Sequence, residues 1–103
     1  MTAGDRRLRL RPRAELEAAS AFEWYEARSP GLGTEFLRAL DAALASIQRN
    51  PTMYPVVHGR VRRHLLRRFP YGVFFVEYPT EVVVFAVVHA RRHPRVWPSG
   101  PQV

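Results

Sequence analysis

Apolar and polar residues alternate strictly through Arg7-Leu8-Arg9-Leu10-Arg11. A period of two puts both leucines on one face, the pattern of a short strand with a single apolar side, at or near the edge of a sheet. Beyond Pro12 the period changes. Ala14, Ala18, Phe22 and Tyr25 recur at helical spacing, while Glu15, Glu23 and Glu26 fall off that stripe and are expected in water. Strong helix formers and acids in the first turn support a helix from Arg13 to about Arg28, stopped by Pro30-Gly31-Leu32-Gly33. Thr34 is placed to cap a second helix carrying the stripe Phe36, Leu37, Leu40, Leu44 and Ile47, which Asn50-Pro51 ends.

A short link between two helices makes them antiparallel neighbours, and their apolar faces then need a sheet to cover. Three β-rich runs supply it: Val61 to Phe69, Tyr71 to Tyr78 and Glu81 to His89, separated by Pro70 and by a Pro79-Thr80 turn. The expected order is β-α-α-β-β-β. This is an α+β fold in which a helical hairpin packs on a mainly antiparallel four-stranded sheet. A chain of 103 residues supports one modest core, so residues 1–103 form one domain, with an irregular tail from about Pro94.

Composition narrows the chemistry. All sixteen basic residues are arginine, and the formal net charge is +7. Residues 1–50 hold eight arginines against seven acids, whereas residues 51–103 hold eight against only Glu77 and Glu81. The positive field therefore belongs to the C-terminal half and would attract phosphate, nucleic acid or an acidic protein segment. The absence of cysteine removes disulfides, thiolate zinc sites and thiol nucleophiles. Residues 1–20 contain no apolar leader, and the longest apolar run, Val82 to Val88, is too short to span a bilayer. A cytoplasmic protein without membrane contact is expected.

Two clusters could carry function. The first is Arg60, Arg62, Arg63, His64, Arg67 and Arg68, ending at Phe69-Pro70-Tyr71. If all lie on a strand, Arg62, His64 and Arg68 share one face and Arg63 and Arg67 the other. Burying unpaired arginine is costly, so one set must face solvent and the other must lie at the sheet edge or reach past the helix ends. Such a strand is either a phosphate- or acid-binding surface or a solvated strand that resists aggregation.

The second cluster is His89, Arg91, Arg92 and His93, at the end of a strand built from Val, Phe and Ala. A histidine of near-neutral pKa among arginine clamps is what metal-free RNA cleavage by 2′-hydroxyl attack requires, with Tyr71 or Tyr78 able to add a hydroxyl. Of the four histidines only His89 and His93 are spaced i, i+4, Pro94 disfavours a helix there, and no acid is close. No metal and no cofactor are expected.

Across its length the chain resembles the RelE/ParE superfamily of toxins from type II toxin–antitoxin systems. The resemblance rests on Trp24-Tyr25-Glu26, Gly31-Leu32-Gly33 with Phe36-Leu37, Asn50-Pro51 with Tyr54-Pro55, Arg62-Arg63, Phe69-Pro70-Tyr71 and His89-Ala90-Arg91-Arg92-His93-Pro94, in that order. It implies a growth-inhibiting toxin of the kind linked to plasmid stabilization, silenced by an acidic antitoxin in a toxin–antitoxin hetero-oligomer. ParE-like members inhibit DNA gyrase; RelE-like members are ribosome-dependent mRNA endoribonucleases, or mRNA interferases. The His-x-Arg-Arg-x-Pro ending leans toward ParE, and the lack of any lysine weakens the RelE reading.

In the RelE case the resemblance implies His89, Arg91 and Arg63 as catalytic residues. In either case Arg62, Arg63, Arg67, Arg68, Arg91, Arg92 and His93 are the target- or phosphate-binding candidates. Trp24, Tyr25 and Trp97 are the candidate antitoxin anchors, since large aromatics dominate interface energetics. A small basic nucleic-acid-binding module is a third and weaker reading, since no recognition helix or pair of exposed sheet aromatics is evident.

Overall fold

The computed structural model describes residues 6–98. In chain order the elements are β1 (Arg7–Leu10), α1 (Pro12–Arg28), α2 (Leu32–Arg49), a 3₁₀ turn (Pro51–Met53), β2 (Val56–His58), β3 (Val61–Leu65), β4 (Tyr71–Glu77) and β5 (Glu81–His89). The strands form one sheet in the order β1-β5-β4-β3-β2. All neighbouring pairs are antiparallel except β1 and β5, which run parallel.

The α+β arrangement is the expected one, but the sheet has five strands rather than four. The additional strand, β2, pairs with β3 across the two-residue turn Gly59-Arg60, and Gly59 takes the left-handed φ of +54° that opens such a turn. Three residues behind Pro55 are too few for alternation to reveal a strand. β3 is also shorter than expected. It ends at Leu65, Leu66 N–H donates to the Tyr71 carbonyl, and residues 67–70 bend back toward β4. Arg67 and Arg68 therefore belong to a connection, not to strand faces.

α1 opens on Pro12, where a missing N–H removes nothing the helix would have used. It buries Ala14, Ala18, Ala21 and Tyr25, and its small residues let the helix lie close to β5. α2 buries Phe36, Leu40, Ala43 and Ile47. Tyr25, Phe36, Phe69 and Tyr71 meet as an aromatic group, with Tyr25 and Phe36 stacked at 5.5 Å and Phe69 edge-on to both. Val73 and Phe75 of β4 and Val82, Val84 and Val87 of β5 complete this main core.

Thr34 does not cap α2. The helix starts at Leu32 behind Gly31, whose φ is +89°, and Thr34 lies inside its first turn. The free N–H groups of Gly31 and Gly33 instead donate to the two carboxylate oxygens of Glu26, at 2.8 and 2.9 Å. Glu26, expected in water, is half-buried for that reason. Gly33 is needed at this crossing, because a Cβ there would stand 2.6 Å from the Phe22 carbonyl oxygen.

A second apolar cluster covers the opposite face of the sheet: Val61, Phe74, Val76, Phe85 and Ala86, with Trp97 packed over them. This explains why the middles of β4 and β5 are apolar without alternation, since both faces are buried. It also packs the start of the tail against the sheet. Residues 94–98 are irregular, yet Pro94 is buried and Trp97 is in contact with the sheet; the remainder of the tail lies outside the described residues. No helix among the described residues is long and apolar enough to cross a membrane.

Candidate functional site

Register brings the two basic clusters together. Leu65 opposes Gly72 and Tyr71 opposes His89, so the end of β3, the start of β4 and the end of β5 share one end of the sheet. Ala90 N–H donates to the Pro70 carbonyl at 2.6 Å and ties the two connections to each other. Arg67, Arg68, His89, Arg91 and Arg92 consequently gather at this end. Arg67, Arg91 and Arg92 are exposed, while Arg68 pairs with Glu35 of α2 at 2.7 Å and lies over the Phe69 ring.

The positive charge here is left largely unpaired because the acids of the C-terminal half are committed elsewhere. Glu77 pairs with Arg6 at 2.9 Å and Glu81 with Arg9 at 3.3 Å, both holding β1 in place. Among the described residues, Arg68 is the one arginine of the C-terminal half within ion-pair distance of a carboxylate.

Other candidates are not part of this gathering. Arg62 opposes Phe75 on the helix-covered face, and its guanidinium donates to the carbonyls of Tyr54, at 2.6 Å, and Thr52, at 3.4 Å, beyond the end of α2. His64 opposes Val73 on the same face and packs 4.4 Å from the Tyr54 ring. Burial, with the nearby Arg67 charge, lowers the His64 pKa below its ordinary value. Arg63 opposes Phe74 on the outer face, where its Nε is buried without a partner. The expected sharing of faces by Arg62 with Arg68, and by Arg63 with Arg67, fails because the strand ends before either loop arginine. His93 turns away from the basic end to the outer face, 6.3 Å from Phe74 and 6.1 Å from Trp97.

A cleft of about 560 Å³ opens between α1 and the end of β5, walled by Leu16, Trp24, Tyr25, Tyr71, His89 and Arg92. The Arg91 N–H donates to His89 Nδ1 at 3.2 Å and orients the imidazole. The Tyr71 ring lies 5.7 Å from His89. Tyr78, the other hydroxyl considered, follows the far end of β4, and its oxygen is buried without a partner.

The three aromatic candidates have different fates. Trp24 is 49% exposed at the mouth of the cleft, with the Arg28 guanidinium 3.7 Å above its ring. Tyr25 is only 8% exposed because its ring belongs to the core, and burial, with Tyr71 beside it, raises its hydroxyl pKa. Trp97 is on the far side of the sheet, stacked 4.3 Å from His58.

Sequence reading overlooked Glu17. Its Oε1 accepts the Val87 backbone N–H at 2.8 Å, and its Oε2 accepts from Arg13 Nε at 3.2 Å. An acid set between Ala14, Ala18 and Ala21, on the face turned to the sheet, was the available signal. Chemically, the arrangement combines an anion-attracting end with a partly apolar cleft. Of the groups that metal-free RNA cleavage would combine, His89 and Arg91 share the basic end with Tyr71, whereas Arg63 opposes Phe74 on the other face of the sheet. Among the described residues no three His, Cys, Asp or Glu side chains gather as metal ligands would.

Comparison with known proteins agrees with the fold. A solved structure described as the chromosomal ParDE TA system from P. aeruginosa aligns over 84% of this chain and 97% of its own, with a TM-score of 0.75 and 14% sequence identity. No curated protein matches the sequence. Residues 8–94 match the family model of the ParE toxin of the type II toxin–antitoxin system, parDE. That match runs from β1 through both basic connections, and the chain belongs to the ParE toxin family.

Proposed function

We propose that this ParE-family toxin arrests growth by engaging DNA gyrase in the cytoplasm, and that an acidic antitoxin neutralises it by forming a hetero-oligomer. The observation that carries this reading is the match of residues 8–94 to the ParE toxin family, and the separation of Arg63 from His89 by the thickness of the sheet fits it. A protein-binding inhibitor needs no general acid or base, only a complementary surface. The end of the sheet bearing Arg67, Arg68, Arg91 and Arg92 supplies a positive one suited to steering association. Arg62, Arg63 and His93, the other candidate contacts, contribute to holding the sheet, its outer face and the tail in position.

Induced expression in a bacterial host, with labelled precursor incorporation followed separately into DNA and protein, tests the reading. DNA synthesis is expected to collapse first, with cells becoming filamentous, and His89→Ala is expected to retain toxicity to within severalfold. Early arrest of translation with cut messages would overturn it. In that case His89→Ala should lower cleavage by about 10²–10⁴, the usual cost of losing an acid–base group.

A further inference from the structure

The alternating arginines of β1 lie away from the basic end, because β1 pairs with Glu81 to Val84, the part of β5 remote from His89. Leu8 and Leu10 pack into the main core on the helix-covered face. Alternation therefore turns Arg7, Arg9 and Arg11 to the outer face, where all three are exposed. Arg11 prolongs the strand, with an extended backbone and its N–H bonded to the Val84 carbonyl. Successive arginines thus stand about 6.6 Å apart along a straight line.

Little on this face offsets their charge. The acids of α1 and α2 belong to the helix layer on the other side of the sheet, and Glu77 is paired with Arg6. Glu81 does share the outer face, where it lies beside Arg7 in register and bonds Arg9 at 3.3 Å. Among the described residues the side chains of Arg7 and Arg11 make no ion pair. Charge of either sign would keep an edge strand from pairing with another chain. A row of guanidinium groups, permanently charged and built to bond two oxygens of a phosphate at once, does more than that.

The complement of a straight, evenly spaced row of guanidinium groups is an evenly spaced row of anions, and successive phosphates along one strand of a duplex repeat at a similar interval. β1 carries no aromatic ring on which unpaired bases could stack, which favours a duplex over a single strand. Resting on the gyrase reading above, in which the target holds duplex DNA, we propose that the Arg7-Arg9-Arg11 rail binds the phosphate backbone of that DNA. Contacts of this kind position a protein without reading sequence, so no recognition helix is required. The toxin then holds its target through two separate surfaces: the basic end grips the protein, and the rail grips the DNA beside it.

Binding of the full-length toxin to short labelled DNA duplexes of two unrelated sequences, measured over a range of salt concentrations, tests this. Affinity should fall linearly on a log–log salt plot and be alike for the two sequences. Combining Arg7→Gln with Arg11→Gln should lower the slope by about two and weaken binding at least about tenfold at low salt. Should that variant fail to fold, the guanidinium Nε–H resonances of Arg7 and Arg11 in the unaltered toxin decide, and both should shift as duplex is added. An unchanged slope, or resonances that stay in place, overturns the rail. So does a slope that falls only when Arg67, Arg91 and Arg92 are replaced, or poly-glutamate that displaces the duplex as well as unlabelled duplex does. None of these results touches the gyrase reading, which stands or falls on precursor incorporation.

Discussion

Glu26 of α1 and Gly33 of α2 are joined by a side-chain-to-backbone hydrogen bond of 2.9 Å, and the second carboxylate oxygen of Glu26 holds Gly31 at 2.8 Å. One side chain thus does for the start of α2 what a local cap residue usually does, and it locks the hairpin angle as well. Replacing Glu26 by Ala leaves both N–H groups without their partner, Gly33 in a buried position. The expected loss is about 1–2 kcal/mol, within the range for removing a helix cap. Thermal unfolding should register it as a drop of roughly 4–15 °C, with Glu26→Gln, which keeps one strong acceptor, falling in between.

His64 gives the fold a pH dependence of definite sign. Its pKa in the folded protein lies below the ordinary value of 6.5, so between those two points the unfolded chain binds the extra proton. The stabilisation is complete above pH 6.5 and is lost as pH falls toward the lowered value. Denaturant titrations at pH 7.5 and 5.5 should show the midpoint falling further in the unaltered protein than in His64→Gln. Equal shifts in the two proteins would sink the assignment.

Trp97 is the main contact of the C-terminal segment with the outer face, against Phe74, Phe85 and His58. Its ring is half-buried, so Trp97→Ala should cost about 1–3 kcal/mol, less than the 3–5 of a fully buried large side chain. The variant should also increase binding of a hydrophobic dye, because Phe74 and Phe85 lose their cover. An unchanged melting temperature would mean that the Trp97 ring contributes nothing to the fold.

Much of this molecule was legible because burial writes periodic signals. The stripe Phe36, Leu40 and Ile47, the alternation of β1 and the unbroken apolar run of β5 each follow from which sides of an element meet the core. What escaped are features without a period. β2 is three residues long, and Glu17 and Glu26 bond to backbone groups that only the tertiary fold brings near. The basic end was half legible. Both arginine clusters stand out in the chain, but their meeting depends on the β3–β4–β5 register, and treating Arg67 and Arg68 as strand residues assigned them to faces they do not have. The Gly59-Arg60 turn was the missed cue for β2, since a glycine opening a two-residue link is a hairpin signal.

The parallel pairing of β1 with β5 sets the order in which the chain can become itself. Arg7 lies beside Glu81, so the first strand has no partner until the last strand has been made. Contacts between such distant residues close late, because the loop entropy must be met before pairing rewards it. During synthesis the helical hairpin emerges with its apolar stripe uncovered, and β4 and β5, which supply most of the core it packs on, follow last. The basic end and the cleft both depend on β5. A ribosome therefore carries no finished toxin until β5 has left it, and a chain cut short before Glu81 has neither a complete sheet nor a surface with which to do harm.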